Sequence, residues 1–329
     1  MRAPDFWTSD RAAAKALAVL LSPLGVLYGE SVRWRQKRAH PFRPRARVLC
    51  VGNLTAGGSG KTPIAIALGR MLATRGKKVF FLTRGYGGQM HGPVQVDPAR
   101  HMAADVGDEP LLLAAQSPTV VARDRAEGAR LADSLGADII VMDDGFQNFQ
   151  IAKDVSLVVV DAETGFGNGR LIPAGPLREA SAQGLARADG IVLMGDGLPK
   201  LPPVNGPILR AGLLPTSPEA LSGRTVFAFA GIGRPEKFFR MLRTMGAVVA
   251  AAQAFPDHHG FTAPELSALK TAAANTGALL VTTEKDFVRL DPSARTNILP
   301  VPVHAVFTDA SALTLLLDRL AEAGNVESL

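Results

Sequence analysis

A glycine-rich segment at residues 55–62 has the residue types of a phosphate-binding loop. Successive backbone N–H groups in such a loop bind anions, and a helix that starts at its end adds a favourable dipole. Lys61 would reach the terminal phosphates of a nucleotide, and Thr62 would place its hydroxyl on a magnesium ion. Thr55 stands where the usual pattern has its first glycine. The expected phosphate cradle consists of Thr55, Ala56, Gly57, Gly58, Ser59, Gly60, Lys61 and Thr62.

Two adjacent carboxylates, Asp143 and Asp144, end an apolar run of strand type. Beside a phosphate loop, one such carboxylate holds Mg²⁺ directly or through water, and the other completes the ion's shell or orients a neighbour. Gln147 follows on the same edge. We therefore expect Thr62, Asp143 and Asp144 to hold the metal, and Lys61 and Asp144 to take part in catalysis.

Transfer of a phosphoryl group to a hydroxyl also needs a group that accepts the hydroxyl proton. Asp108 lies in a Gly-Asp-Glu-Pro segment, where an Asp is also typical of a helix N-cap. His258 lies beside Asp257 in a loop with Pro and Gly, where it is equally compatible with a solvated turn. Asp108 and His258 are the two candidates for the proton acceptor.

Two further loops have the composition of substrate-binding segments. One is long and rich in Gly and Pro, at residues 165–179, and contains arginines suited to an acidic or phosphorylated substrate. The other is a glycine-rich turn that follows the apolar run at residues 78–83. The candidate substrate residues are Arg84, Tyr86, Gln147, Arg170, Arg178 and Glu179.

Strand-like apolar runs alternate with helical segments around these residues. The helix after the phosphate loop has Ile64, Leu68 and Leu72 on one face. Continuously apolar strands alternating with helices indicate a parallel sheet covered on both faces, with ligands at the carboxyl ends of the strands. The predicted fold class is α/β, a P-loop NTPase-type parallel sheet covered by helices, with a second, smaller α/β domain.

A length of 329 residues favours two domains. A segment rich in Pro and Gly interrupts the alternation, which restarts after Gly223 and ends with a helix at 310–323. The single cysteine, Cys50, excludes an intramolecular disulfide and is expected to be buried. The predicted organisation is an N-terminal arm at 1–46, a P-loop domain at 47–197, a linker at 198–222 and a C-terminal α/β domain at 223–329.

The N-terminal arm joins an apolar run to a basic end. Residues 16–28 are apolar but contain Pro23 and Gly25. A helix of that length rises about 20 Å, less than a hydrocarbon core of roughly 30 Å. Ten Lys or Arg and three Asp or Glu lie within residues 1–47, although the whole chain has a net charge of +6. The aromatic residues that flank the run are Phe6, Trp7, Tyr28 and Trp34.

This pattern predicts a helix that lies on an anionic membrane surface. Two alternatives stay open from composition alone. The arm could consist of helices packed on the nucleotide domain with a solvated basic face, or its charge could bind nucleic acid.

Eight segments, in order over roughly residues 47 to 286, resemble the tetraacyldisaccharide 4'-kinase family of lipid A biosynthesis. They are residues 51–63 (VGNLTAGGSGKTP), 83–88 (TRGYGG), 106–110 (VGDEP), 141–147 (VMDDGFQ), 165–179 (GFGNGRLIPAGPLRE), 230–239 (AGIGRPEKFF), 255–259 (FPDHH) and 282–286 (TTEKD). The segment that ends in Glu179 is highly specific, and Thr55 fits the family's own version of the loop.

The resemblance implies phosphorylation by ATP, with Mg²⁺, of the 4'-hydroxyl of an acylated glucosamine disaccharide 1-phosphate. It implies Asp108 as the base, assisted by His258, with Asp143 and Asp144 at the metal. His258 is preferred to His259 because it follows the Asp of its motif. The expected partners are this lipid and an anionic membrane surface at the cytoplasmic face of a Gram-negative inner membrane. Neither nucleic acid nor an obligate protein partner is expected.

Two other classes of P-loop protein are the alternatives. A membrane-associated switch ATPase would carry a Lys immediately before the two glycines of its loop, where this chain has Ala56. A GTPase would carry an Asn-Lys-x-Asp motif for its base. Residues 283–286 (TEKD) are superficially similar but lack the Asn.

Overall fold

The structure is a computed structural model that describes residues 4–9, 11–309 and 311–322. The strands are β1 (Arg47–Gly52), β2 (Val79–Thr83), β3 (Val94–Gln95), β4 (Thr119–Val121), β5 (Ile139–Asp143), β6 (Val155–Asp161), β7 (Gly190–Met194), β8 (Ile208–Pro215), β9 (Thr225–Ala230), β10 (Val248–Ala254), β11 (Leu279–Thr283), β12 (Ile298–Val301) and β13 (Val303–Phe307). The α-helices are α1 (Ala12–Lys37), α2 (Lys61–Ala73), α3 (Ala103–Val106), α4 (Asp108–Ala114), α5 (Arg125–Ser134), α6 (Ser181–Leu185), α7 (Pro235–Thr244), α8 (Ala263–Asn275), α9 (Glu284–Arg289) and α10 (Ser311–Glu322).

The larger sheet has nine strands in the order β13-β8-β7-β6-β1-β5-β2-β4-β3. Strands β8 to β4 run parallel, and the two edge strands β13 and β3 are antiparallel to their neighbours. β1 lies at the centre, so the loop that follows it opens at the middle of the carboxyl edge. The predicted fold class is confirmed.

The core of this sheet lies on both faces of β1. Val48 and Cys50 point into one buried cluster, and Leu49 and Val51 point into the other. Burial of one such aliphatic side chain contributes roughly 1.5–3 kcal/mol. Gly69 brings α2 close to the sheet, because a Cβ at this position would lie 2.6 Å from the ring of Phe81. The helix that begins at the phosphate loop is therefore fixed firmly on the sheet.

The smaller sheet has four parallel strands in the order β10-β9-β11-β12. Phe238, Phe239 and Leu242 of α7 cover one face. Leu266 and Leu269 of α8 cover the other. Each sheet thus has its own core, and the candidate residues of the site are divided between the two units.

The structure differs from the predicted domain boundaries in two segments. Residues 198–222, expected as a linker, contain β8, which pairs in parallel with β7. β13 and α10, expected in the C-terminal unit, return to the larger sheet, where β13 pairs with β8 and α10 buries Leu313, Leu317 and Leu320. Alternation of strands and helices does not tell which sheet a strand joins. The two ends of the helix predicted at 310–323 lie outside the described residues.

The arm also differs from its prediction, because α1 is one helix of 26 residues that contains Pro23. A helix of this length rises about 39 Å, and by length and composition alone it could cross a membrane; its best window has a mean hydropathy of 1.6. A proline removes one backbone N–H donor from a helix but does not always end the helix. Pro23 therefore does not limit the helix to the apolar run.

One face of α1 packs on the long loop that follows β6. A Cβ at Gly25 would lie 3.0 Å from the carbonyl oxygen of Leu171, and one at Gly29 would lie 2.7 Å from the Leu171 side chain. The other face is apolar and exposed, with Leu20 at 74% and Leu27 at 67% of full exposure. The arm thus combines packing on the enzyme body with an uncovered apolar face.

Candidate active site

The phosphate loop connects β1 to α2 at the centre of the larger sheet. Gly57 and Gly60 have φ angles of 113° and 82°, a region that favours glycine. A Cβ at Gly57 or Gly58 would meet no atom within 4 Å among the described residues, so this side of the loop is open. The N–H of Ala56 donates to the carbonyl of Pro176 at 2.8 Å and is therefore not free for a phosphate. The open part of the cradle begins after Ala56.

Asp143, at the end of β5, is fully buried and accepts a 2.8 Å hydrogen bond on Oδ2 from the Thr62 hydroxyl. Its Oδ1 has no hydrogen-bond partner within the described part of the chain. Burial raises the pKa of this carboxyl to about 7, and the charge of Glu109 adds to the increase while Lys61 opposes it. A buried carboxylate oxygen without a partner, beside a hydroxyl, fits a divalent cation.

The described residues contain no cluster of three or more His, Cys, Asp or Glu side chains that could hold a metal by themselves. A cation at Thr62 and Asp143 would therefore need further oxygen ligands from phosphates and water. Mg²⁺ in nucleotide sites is commonly bound in this way, through one or two carboxylates and the substrate's phosphates. The two residues fit that ion.

Asp144 occupies a different environment from Asp143. Its Oδ1 lies 2.8 Å from Nη1 of Arg178 and 3.7 Å from Nζ of Lys61. Although burial raises its pKa, the charges of Lys61 and Arg178 lower the pKa to about 2. Asp144 is therefore an ionised carboxylate that holds two cations beside the phosphate loop.

Asp108 begins α4 and has only 4% of its surface exposed. Its Oδ2 lies 3.0 Å from Nδ1 of His258 and accepts a hydrogen bond from Nε of Arg289 at 2.6 Å. Burial raises its pKa, but the hydrogen bond with His258 and the charges of Lys285 and Arg289 hold that pKa well below its usual range. Asp108 is thus ionised and paired across the cleft between the two units.

The two adjacent histidines have different surroundings. His258 has a φ of 58°, which points its ring at Asp108, and its N–H donates to the carbonyl of Gly231. His259 instead lies 3.1 Å from Glu265 and stacks on Phe255 inside the smaller unit. The structure therefore brings His258 to Asp108 and leaves His259 away from it.

Lys285 and Arg289 of α9 are site residues that sequence reasoning missed. Nζ of Lys285 lies 2.9 Å from Glu109 and 3.5 Å from Nε2 of His258. Arg289 binds Asp108 and also donates to Gly231 O at 2.8 Å. The TTEKD segment was the one part of the sequence analysis that drew attention to this helix. Nothing in its sequence indicated that it faces residues 108 and 109.

The candidate substrate residues lie in three different places. Gln147 and Glu179 lie at the site, where the Gln147 amide donates to Glu179 at 2.9 Å. Arg178 also lies there, through its pair with Asp144. Arg170 instead donates to the Ser22 hydroxyl on α1 at 2.5 Å. The other two candidates, Arg84 and Tyr86, are exposed, and the Tyr86 ring lies 5.3 Å from that of His258.

A second set of ion pairs joins the two units at the carboxyl end of β6. Asp161 accepts from Arg234 at 3.0 Å and from Lys237 at 2.9 Å. The turn before Arg234 approaches the phosphate loop, because a Cβ at Gly233 would lie 3.9 Å from the nitrogen of Gly58. The smaller unit therefore also approaches the phosphate loop beside Gly58.

Comparisons with known proteins cover nearly the whole chain. Residues 17–321 match the family described as tetraacyldisaccharide-1-P 4'-kinase. Proteins named tetraacyldisaccharide 4'-kinase from Paramagnetospirillum magneticum and Rhodospirillum centenum are 52% and 50% identical over 326 residues, which is 97% of this chain and 99% and 97% of theirs. A crystal structure of LpxK from Aquifex aeolicus in complex with ATP has a TM-score of 0.75 and 26% identity, and the match covers 92% of this chain and 99% of that one. Sequence and fold therefore agree over the same length.

Proposed function

The chain belongs to the tetraacyldisaccharide-1-P 4'-kinase family, and on that premise we propose that its phosphate loop and its Asp108–His258 pair carry out the phosphoryl transfer. The enzyme is an ATP-dependent kinase that phosphorylates the 4'-hydroxyl of a tetraacylated glucosamine disaccharide 1-phosphate in lipid A biosynthesis. The switch ATPase and the GTPase are not favoured. The observation that supports the residue assignment is the contact of Asp108 with His258 across the cleft beside the phosphate loop.

The phosphates of ATP bind along the open part of the loop, from Gly57 to Thr62. Lys61 binds the terminal phosphates, and Asp144 orients Lys61 and Arg178 toward them. Thr62 and the unpartnered oxygen of Asp143 would hold Mg²⁺. When bound there, the ion would neutralise charge that develops on the phosphates during transfer.

The 4'-hydroxyl oxygen attacks the γ-phosphorus of ATP. A bond forms between these two atoms, and the bond from the γ-phosphorus to the bridging oxygen breaks, so ADP leaves with the electron pair. The hydroxyl proton passes to the carboxylate of Asp108. His258 shares that proton through its contact with Oδ2. The pair acts as one proton-accepting unit, because Nδ1 of His258 lies 3.0 Å from Oδ2 of Asp108.

Substitution of the two adjacent carboxylates is expected to separate their roles. Asp143→Asn should raise the Mg²⁺ concentration for half-maximal activity by at least about tenfold, because an amide is a weaker ligand than the carboxylate it replaces. Asp144→Asn should lower kcat with little change in the Mg²⁺ requirement, because it frees Lys61 and Arg178. Mg²⁺ titrations of activity, and of the melting temperature of the ATP-bound protein, measure both effects.

Asp138→Asn is the matched control, since Asp138 immediately precedes the other end of the same strand and accepts a hydrogen bond from the Lys78 N–H. It should retain the wild-type Mg²⁺ dependence and kcat. A folded Asp143→Asn enzyme with unchanged Mg²⁺ dependence would place the ion elsewhere.

The family acts on a lipid A precursor, and we propose that α1 meets this lipid at the cytoplasmic face of the inner membrane, where ATP is present. The exposed leucines of α1 supply an apolar face, and basic residues follow it in the sequence. Arg170 links α1 to the long loop through Ser22, and Leu171 packs under Gly25. The same loop contains Arg178 near its end, so it connects the membrane-facing helix to the site.

The substitution of Leu20, Leu24 and Leu27 together by Glu should release the enzyme from vesicles of anionic phospholipid. It should raise the KM for the lipid at least about tenfold, since each buried leucine contributes roughly 1.5–3 kcal/mol. The KM for ATP should stay unchanged, because these side chains point away from the body of the enzyme. Vesicle sedimentation and steady-state kinetics measure both.

Leu198→Glu is the control, because Leu198 is 83% exposed and lies outside α1. It should retain vesicle binding.

Binding of the wild-type protein to these vesicles should weaken in high salt, because salt screens its basic residues, while the contribution of the apolar face of α1 should persist. If the triple variant binds vesicles as the wild type does, α1 has only a packing role.

A further inference from the structure

Lys153 lies just before β6 and directs its ammonium group into the protein. Nζ donates to the carbonyl oxygens of Gly145 and Phe146, each at 2.8 Å. It also lies 5.5 Å from the centre of the Phe146 ring. Burial lowers the pKa of this lysine. A half-buried cation that donates to two carbonyls of one turn fixes the course of that turn.

The turn in question, residues 144–147, begins with a residue in an uncommon conformation. Asp144 has a φ of 54°, in the left-handed region that is unfavourable for most non-glycine residues. Its N–H donates to the carbonyl of Val51, the penultimate residue of β1, at 3.0 Å. Gly145 follows in a space where a Cβ would lie 2.8 Å from the side chain of Met142. Such a turn persists only where its surroundings hold it.

The same turn contacts the start of the phosphate loop at two further points. Phe146 packs directly on Gly52, where an added Cβ would lie 2.5 Å from the Cβ of Phe146. The Gln147 amide donates to the carbonyl of Asn53 at 2.9 Å. A shift of the turn would therefore move Asp144 and also disturb the first residues of the loop.

Lys153 is itself tied to β1 through its neighbours. The N–H of Ala152 donates to the carbonyl of Phe42, and the N–H of Asp154 donates to that of Val48. The Asp154 carboxylate in turn accepts from the N–H of Val48 at 2.8 Å. The side chain of Lys153 thus starts from a segment that is anchored at the start of β1. Its ammonium group binds the 144–147 turn, which contacts the end of β1.

We propose that Lys153 is a positioning residue of this kinase, which holds the 144–147 turn so that Asp144 stays between Lys61 and Arg178. Lys153 does not touch the substrate or the nucleotide. The Phe146 carbonyl accepts a hydrogen bond from Lys153 behind the turn, whereas Gly145 O also accepts from the N–H of Asn148. The inference rests on the proposed role of Asp144.

Lys153→Met tests this inference, because it keeps the length of the side chain and removes the ammonium group. It should lower kcat by about 10- to 100-fold, the usual effect of losing a group that orients a ligand-binding residue. The KM for ATP should change little. Lys153→Arg, which keeps the charge and the donors, should recover much of the loss. Activities are compared per folded enzyme, measured by circular dichroism.

The decisive measurement is the same substitution in an Asp144→Asn background. If Lys153 acts through Asp144, Lys153→Met should lower kcat there by less than about twofold, because coupled residues are not additive. If Lys153 had only a structural role, Lys153→Met would lower kcat by the same factor in the wild-type and in the Asp144→Asn background. Asp144→Asn alone reports on the proposed role of Asp144, so failure of that role is distinguished from failure of the Lys153 inference.

Lys78→Met is the matched control. Lys78 lies just before β2 of the same sheet, and its Nζ donates to the carbonyl of Leu135 at 2.6 Å and lies 5.8 Å from the ring of Phe80. This variant should have the wild-type kcat. If Lys153→Met does not fold, Lys153→Gln, which keeps one donor group, takes its place in both backgrounds. A folded variant with wild-type kcat, or equal losses with and without Asp144, would overturn the inference.

Discussion

Lys61→Ala is expected to abolish phosphoryl transfer and to leave the fold intact. The ammonium group of Lys61 is the cation of the phosphate loop, and it lies 3.7 Å from Asp144. Its loss removes charge stabilisation at the transferring phosphoryl group, which should lower kcat by at least about 10³-fold. Alanine is a good helix former and suits the first position of α2. Lys61 is absent from the buried clusters of the described residues, so the core is unaffected.

The measurement is transfer of radiolabel from ATP to the disaccharide 1-phosphate lipid, together with a thermal melt. Arg70→Ala is the control, because Arg70 lies on the exposed side of the same helix and contacts Gln116. It should retain wild-type transfer. A folded Lys61→Ala enzyme with wild-type turnover would contradict the assignment of the loop.

The parts of the site that are local in sequence were predictable. The phosphate loop, α2 and the carboxylates after β5 each depend on a strand, a turn or a helix of a few residues. Thr62 and Asp143 meet because parallel strands end at one edge of a sheet. This rule required no knowledge of side-chain contacts, and it applies to any P-loop protein with an acidic neighbouring strand.

The different environments of Asp143 and Asp144 could not be read from the sequence. The sequence predicted that one carboxylate holds the metal and that the other completes its shell or orients a neighbour, but it did not tell which of the two takes which role. The left-handed φ of Asp144 turns its side chain toward Arg178, which comes from a loop more than thirty residues away. Asp is enriched among the non-glycine residues with such a backbone angle, but residue type alone does not place the angle at Asp144.

The contacts between the two units also could not be predicted from local sequence patterns. Asp108 and His258 are 150 residues apart, and only the family resemblance placed them together. Lys285 and Lys153 were missed for different physical reasons. Lys285 acts through a helix of the other unit, and Lys153 binds backbone carbonyls, which every residue has. The assignment of β13 to the larger sheet was missed because strand pairing depends on the whole chain.

Asp108→Asn should lower kcat by about 10²–10⁴-fold with little change in the KM for ATP, as expected for the loss of a general base. An amide has nearly the same shape as the carboxylate but does not accept a proton at neutral pH.

The depressed pKa of Asp108 also stabilises the folded state at a pH above the pKa that this carboxyl has in the unfolded chain, and this contribution is lost as the pH falls. The variant should therefore melt at a lower temperature, and rates are compared per folded enzyme.

His258→Ala should lower kcat in the same direction, and the double variant should lose far less than the product of the two single effects. The reason is geometric: Nδ1 of His258 lies 3.0 Å from Oδ2 of Asp108, so each residue contributes to catalysis through the other. His259→Gln is the matched control, since His259 contacts Glu265 inside the smaller unit, and it should retain wild-type kcat. Independent losses that multiply in the double variant would mean that the two residues act separately. Equal losses for His258 and His259 would point to a general disturbance of their loop, and the proton-accepting pair would then have to be sought elsewhere in the cleft.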